Sequence, residues 1–293
     1  MWWRRDGFVS VMNELQSSTE MIRSVTAEDG YQLNYRVWAE DTSHRATLVL
    51  LNGIMSHSLW FRTVGESLAS QGFRVVGADR RGSGLNQAGR GDALSRQILL
   101  QDLQRIIDRE HDNQDQLYIV GWCWGGVLAI HAAIELGRLA SGLILLAPGL
   151  FPAESVLEAM REQDRLTQDM PSDVPCLQSP IGEEAFTQGP SLNNFIRKDS
   201  LRLRTFTRRF HWIMVKMGVR ALTQLNQLIQ PILLLLASQD ITVDNTQTLD
   251  AFSSLSGPPV TIRTCEAQHG MQFEIPNELT QHIVSWVARL ESA

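Results

Sequence analysis

Val120-Gly121-Trp122-Cys123-Trp124-Gly125-Gly126 is the stretch that decides how this chain folds. The apolar run Leu117-Tyr118-Ile119-Val120 leads into it, and the small-residue pattern Val127-Leu128-Ala129-Ile130-His131-Ala132-Ala133 leads out. It therefore lies where a buried strand turns sharply into a helix. Glycines two residues either side of the centre match the nucleophile elbow G-x-S-x-G, with cysteine in the place of serine. Such a turn forces its central residue into a strained backbone conformation, and side chains at the flanking positions would strike neighbouring backbone. The turn also aims the sulfur outward at a helix N-terminus, where N–H groups and the helix dipole favour a thiolate. The competing reading is a buried structural cysteine, and partners elsewhere in the chain decide between the two.

Those partners follow the last two strand-like runs. Asp240 lies in Ala237-Ser238-Gln239-Asp240-Ile241-Thr242-Val243-Asp244, after Pro231-Ile232-Leu233-Leu234-Leu235-Leu236. His269 lies in Glu266-Ala267-Gln268-His269-Gly270, after Val260-Thr261-Ile262-Arg263-Thr264-Cys265. The order nucleophile, acid, histidine gives a candidate triad Cys123, Asp240 and His269. Asp240 also has the reading of a turn or capping residue. Asp244 and Glu154 are reserve acids, the former better suited to an N-cap. Among the seven histidines, His44 and His111 fall in polar loops, and His131, His211 and His282 fall on helical patterns. His269 alone follows a buried strand in the required order. An oxyanion hole needs two converging backbone donors. The candidates are Trp124 N–H, directly after the nucleophile, and Ile54 N–H, in the loop after Ala46-Thr47-Leu48-Val49-Leu50-Leu51.

A chain of 293 residues, 43% of them hydrophobic, supplies one large α/β domain or a domain with an insertion, and its core needs no staples. Its net charge of -6 argues against nucleic acid or an anionic membrane as the main partner. Cys123, Cys176 and Cys265 are odd in number and widely spaced, so neither a disulfide framework nor a metal knuckle is indicated, and no metal or cofactor is expected. A reducing, cytoplasmic setting fits best. Met1-Trp2-Trp3-Arg4-Arg5 lacks the apolar core of a signal peptide, and no later run reaches membrane-spanning length.

From Met21 the chain reads as an antiparallel hairpin and then as apolar strands alternating with amphipathic helices, which means right-handed crossovers and a mainly parallel sheet. Residues 151–230 break that pattern, being mostly helix-like with no buried-strand run. The expected organisation is an extension over 1–19, a core over 20–150 and 231–293, and a helical lid inserted at 151–230. Ligands bind at the carboxyl ends of such strands, where the lid would sit.

The chain resembles the α/β-hydrolase fold, and within it the lysophospholipase and monoacylglycerol-lipase-like branch often labelled serine aminopeptidase. Leu51-Asn52-Gly53-Ile54-Met55-Ser56-His57-Ser58 resembles that branch's H-G-x-x-x-H-S loop, and Asp79-Arg80-Arg81-Gly82-Ser83-Gly84 its D-x-x-G-x-G loop. The elbow and the Asp240 and His269 loops complete a likeness running from about Met21 to Leu290. Asn52 stands where the branch has histidine, which bears on how the oxyanion loop is braced. Cys123 stands where it has serine, as in the similar folds of dienelactone hydrolases and polyhydroxyalkanoate synthases.

The resemblance implies acyl chemistry on a small-molecule substrate. A cysteine nucleophile would pass through a thioester, which is more open than an oxoester to amines and carbon nucleophiles relative to water. Hydrolysis of a lipophilic ester or thioester is the first expectation and acyl transfer the second. A silent binding protein, for which Cys123 would be unreactive, is the third. Between Arg197 and Arg220 basic residues are interleaved with apolar ones against the single acid Asp199. Either this is a lid with a solvated basic outside, or a docking surface for a phosphate-bearing donor such as a coenzyme A or carrier-protein thioester. Trp60, Trp122 and Trp212 are the candidate substrate contacts.

Overall fold

The computed structural model describes residues 20–39, 44–112 and 115–292, so the expected extension over 1–19 lies outside the described residues. Alternating side chains make β1 (Glu20–Thr26) and β2 (Gln32–Trp38) an antiparallel hairpin with Val25 opposite Leu33. β3 (Ala46–Leu51) is buried at every position, as its unbroken apolar sequence requires of a strand covered on both faces. After it come α1 (Arg62–Ala69), β4 (Phe73–Ala78), α2 (Arg96–Glu110), β5 (Gln116–Trp122), α3 (Trp124–Leu136) and β6 (Ala140–Leu146). Ser95 caps α2 by accepting from Ile98 N–H at 3.2 Å, and Leu99, Leu103, Ile106 and Ile107 form its buried stripe. In α3 every residue from Trp124 to Ala133 is buried, which explains why that helix is apolar all round.

Between β6 and β9 (Ile232–Ala237) the chain builds α4 (Glu154–Leu166), β7 (Pro175–Gln178), α5 (Pro190–Lys198), β8 (Thr205–Thr207) and α6 (Arg208–Gln224). The ribbon of β7 and β8 adds to the expected helices two strands of four and three residues, too short to show an alternation. Leu203 N–H donates to Met55 O at 2.8 Å, and Arg90 donates to Leu201 O at 3.0 Å and Arg202 O at 2.9 Å. The segment is thus tied to the loops that follow β3 and β4. α7 (Asn245–Ser253), β10 (Val260–Cys265), α8 (Met271–Glu274) and α9 (Pro276–Glu291) finish the chain.

The eight-stranded sheet runs β1-β2-β4-β3-β5-β6-β9-β10, with β2 antiparallel to its neighbours and the rest parallel. β4 and β5 lie on opposite sides of β3, so the strand order reverses there, at the place in such sheets where ligands bind. Leu51 pairs with Gly121 and Cys265 with Ala237. These registers release the elbow and Ile54 loops side by side, and the Asp240 and His269 loops side by side. Among the described residues, no helix is long and apolar enough to cross a membrane.

Candidate active site

Cys123 bridges β5 and α3 with φ 57° and ψ −130°, a left-handed conformation that costs a residue with a Cβ about 1–3 kcal/mol. Its surroundings hold that strain: its N–H donates to Leu146 O at 3.1 Å, and its carbonyl accepts from Gly126 N–H at 2.9 Å and Gly149 N–H at 2.8 Å. A Cβ on Gly125 would collide with the Leu51 carbonyl, and one on Gly121 would lie 2.5 Å from Gly125 O. Gly125 therefore lets the end of β3 close against the turn, and Gly121 lets the start of α3 fold back on β5. On the loop after β3, a Cβ at Gly53 would lie 3.0 Å from Cys123 Cβ and 3.4 Å from its sulfur.

Asp240 and His269 meet as the sequence order requires. Asp240 Oδ2 lies 2.6 Å from His269 Nδ1, and both side chains are fully buried. The other carboxylate oxygen accepts from Thr242 N–H and the Thr242 hydroxyl, each at 2.8 Å, which fixes the carboxylate plane. Burial alone would raise the Asp240 pKa, but the imidazole charge and the Thr242 donors outweigh it and hold it below the ordinary value. Burial likewise opposes a charged His269 ring. The Asp240 carboxylate and the Cys123 sulfur overcome that and raise the ring's pKa to about 10. His269 Nε2 is buried and has no hydrogen bond of regular geometry among the described residues, and the Cys123 sulfur is the group that acts on the ring from that side. Trp122 Nε1 donates to His269 O at 2.8 Å, and His269 N–H donates to Ala185 O at 3.2 Å, which pins the histidine loop from both sides. The reserve acids are occupied elsewhere: Asp244 caps α7 through Gln247 N–H, and exposed Glu154 pairs with Arg161.

Among the described residues neither Ile54 N–H nor Trp124 N–H donates a hydrogen bond. Asn52 takes over the bracing expected of a histidine, with Nδ2 donating to Ala78 O and to Asp79 Oδ1, each at 3.2 Å. Asp79 Oδ1 also accepts from Ser58 N–H at 2.6 Å. Sequence reasoning missed Arg80. Its guanidinium donates to Gly53 O at 2.9 Å and to Ile54 O, and lies over the rings of Trp124 and Phe210. Burial lowers its pKa to about 10 against the opposing charges of Asp79 and Cys123. The Gly53–Ile54 peptide is trans, so fixing Gly53 O makes Ile54 N–H point the opposite way. In the Asp79-Arg80-Arg81 sequence nothing separates the two arginines. In space Arg81 is spent on Asp102 and Asp29.

A cavity of about 250 Å³ opens beside Cys123, with walls from Ile54 and Trp124, from Val156, Leu157 and Met160 of α4, and from Met214, Gly218 and Leu222 of α6. Its few polar members include Ser179 and Thr242. Trp60 and Trp122 line a much smaller void next to Cys123, together with Phe186. Trp212, expected as a substrate contact, lines neither space and is 48% exposed on α6, because the aromatic content of a helix does not reveal which way each ring faces. Much of the basic run is engaged locally: Arg202 pairs with Glu183, Arg208 with Asp164 and Arg209 with Asp92, while Arg204 donates to Arg197 O. The Asp199 side chain turns in against the core, accepting from Trp60 Nε1 at 2.7 Å and lying 2.7 Å from His57 Nε2. Cys265, Glu278 and His282 bring one potential metal-ligand atom each within 4.8 Å, away from the Cys123 cavity. Burial and the Glu278 carboxylate push the Cys265 thiol up to about 11, which keeps it protonated.

The family model described as serine aminopeptidase, S33, matches residues 42–276. An uncharacterized abhydrolase domain-containing protein of Dictyostelium discoideum is 23% identical over 283 residues, covering 94% of this chain and 30% of that protein. Phospholipase YtpA of Bacillus subtilis is 24% identical over 248 residues, covering 83% of this chain and 93% of that one. Two of the curated relatives are much longer than the match, the chain spanning 30% and 48% of them. A soluble variant of monoglyceride lipase from Saccharomyces cerevisiae, solved with a substrate analog, superposes with a TM-score of 0.81 at 14% identity, covering 94% of this chain and 97% of that one. That likeness establishes the α/β-hydrolase fold. With a model match that takes in the elbow, Asp240 and His269, the chain belongs to the serine aminopeptidase, S33, family.

Proposed function

We propose that this protein hydrolyses an ester or thioester with a lipophilic acyl group through a covalent thioester on Cys123. The observation that carries the reading is the coincidence of three things at one point: a strained elbow sulfur, a buried His269–Asp240 pair beside it, and an apolar cavity opening at that sulfur. The relatives named as phospholipase and monoglyceride lipase agree with an apolar acyl part.

Cys123 Sγ attacks the acyl carbonyl carbon, and the negative charge moves to the carbonyl oxygen between Ile54 N–H and Trp124 N–H. His269 Nε2 holds the thiol proton and gives it to the leaving alcohol or thiol as the tetrahedral carbon collapses to the thioester. Asp240 keeps the ring in the tautomer that leaves Nε2 free and steadies the imidazolium. Water then attacks the thioester, His269 takes its proton, and collapse returns the thiol and releases a carboxylic acid. Residues 151–230 act as the lid of the cavity through α4 and α6, and the acyl chain lies among their apolar side chains. The sulfur favours a second channel in which an amine or carbon acceptor replaces water, because a thioester is the better donor to such acceptors.

Turnover of a panel of acyl esters and thioesters tests the proposal. Cys123→Ala is expected to lose at least about 10³-fold in kcat, since the residual catalysis of a triad lacking its nucleophile comes from binding and the oxyanion donors alone. Turnover by Cys123→Ala within tenfold of the parent would end the covalent reading.

A further inference from the structure

α6 lines the cavity with Met214, Gly218 and Leu222, spaced by four along one face, and with Val215 and Val219 beside them. Gly218 lies well inside that seventeen-residue helix, where glycine weakens the helix relative to alanine. None of the usual reasons for glycine applies. Its φ is not positive, and a Cβ built on it meets nothing within 4 Å. Gly149, which also lines the cavity, is different: there a Cβ would sit 3.1 Å from Trp124 N, so close packing of the elbow accounts for it. The open space in front of Gly218 is the cavity itself.

The distance of Gly218 from the elbow follows from the helix contacts. Met217 O lies 3.0 Å from His131 Nε2, and His131 stands eight residues along α3 from Cys123. At 1.5 Å per residue the Met217–Gly218 turn crosses α3 roughly 12 Å from the elbow. A volume of about 250 Å³ holds on the order of eight methylene groups, taking each to displace about as much as one water of the liquid. The reach and the volume agree on a chain of medium length.

We propose that Gly218 is a specificity-determining residue, its missing side chain leaving the far half of the cavity open for the distal methylenes of a medium-length acyl chain. The inference rests on the cavity being the acyl site, as in the proposed function. Each methylene barred from burial costs about fourfold in kcat/KM. A leucine at this position adds four carbons, so Gly218→Leu is expected to lower the ratio of octanoyl to acetyl turnover by about 10²-fold. Gly218→Ala, which relieves the helix, should raise Tm by about 2 °C and move the ratio only modestly, which shows that the site tolerates side chains. The experiment measures kcat/KM for acetyl, butanoyl, octanoyl and dodecanoyl thioesters with the parent, Gly218→Ala and Gly218→Leu, with Tm of each. Calorimetric binding of octanoate to Cys123→Ala, with and without Gly218→Leu, supplies the same comparison without turnover. A folded Gly218→Leu protein with an unchanged chain-length profile and unchanged octanoate binding overturns the inference while leaving Cys123 catalysis standing. Full activity in Cys123→Ala overturns the covalent reading instead, and octanoate binding then decides the role of Gly218.

Discussion

Replacing Asp240 by asparagine removes one charge and almost nothing else. The oxygen that accepts from Thr242 N–H and the Thr242 hydroxyl can stay in place, so the loop keeps its anchor, while an amide takes the position 2.6 Å from His269 Nδ1. That amide donates to Nδ1, which pushes the ring proton to Nε2 and removes the base that Cys123 needs. The same change in a serine triad costs about 10⁴ in kcat. A thiol depends less on its base than a hydroxyl does, so the expected loss is about 10³ to 10⁴, or roughly 4–5.5 kcal/mol of barrier. Stability falls as well, by about 3 kcal/mol, the low end for a broken buried pair because Asn and neutral His still hydrogen-bond. The pH dependence of that loss has a definite sign. The pKa of folded His269, about 10, lies above its ordinary 6.5, so its stabilising contribution is complete below pH 6.5 and fades as pH rises through 10. The pKa of folded Asp240 lies below its ordinary 3.8, so its contribution is complete above that value and fades as pH falls through the lower one. Asp240→Asn should therefore be most destabilising between about pH 4 and 6.5 and approach the parent near pH 10. Urea unfolding at pH 6 and pH 10, with steady-state kinetics on a soluble aryl ester, measures both effects. A loss of activity below tenfold, or equal destabilisation at the two pH values, refutes the pairing argument.

Cys123→Ala removes one of the two groups that raise the His269 pKa, so the ring should titrate below its value in the parent; an unchanged value by NMR would separate the sulfur from the imidazole. Arg80→Gln should lower kcat about 10²-fold with little change in KM, because it frees the Gly53–Ile54 peptide to turn its N–H away, at a cost comparable to losing one oxyanion donor; a rise in KM alone would point to substrate binding instead. Gly125→Ala should fail to fold or should lose activity about as completely as Cys123→Ala, since its Cβ collides with Leu51 carbonyl, and normal activity would mean that the β3 loop does not need to close on the elbow. Cys123→Ser, compared with one donor at saturating amine, should depress transfer far more than hydrolysis if the sulfur governs the partition; equal losses in the two products would deny it that role.

The parts of this molecule that could be found in the sequence are those tied to a strand end. Cys123 and Asp240 each follow an apolar run whose burial is written in its composition, whereas His269 follows β10, which is half-buried or exposed up to Cys265 because it is the edge strand, against the burial expected of it. The parallel sheet makes all three loops leave at one edge. The chain-order rule then picks His269 among seven histidines. The inserted segment carried no comparable signal. β7 and β8 pair across an interval of helix and loop with too few residues to alternate, and Trp212 faces outward although the rings around it suggest an apolar face. Arg80 and Asp199 were illegible for a different reason. Each acts through contacts made by folding, Arg80 on two backbone carbonyls of a loop 26 or 27 positions away and Asp199 on His57 and Trp60 more than a hundred positions away. Asn52 shows the reverse case: the departure from histidine is visible in the sequence, but the bonds of its amide to Ala78 O and Asp79 form only in the fold.

The covalent intermediate is the centre of the account, and rapid-quench intact-mass spectrometry with an octanoyl thioester examines it directly. The parent protein should gain the mass of one octanoyl group during turnover, localised by peptide mapping to Cys123, and Cys123→Ala should show neither the adduct nor the turnover. Octanoyl found on another residue, or turnover by Cys123→Ala at the parent rate, would contradict it.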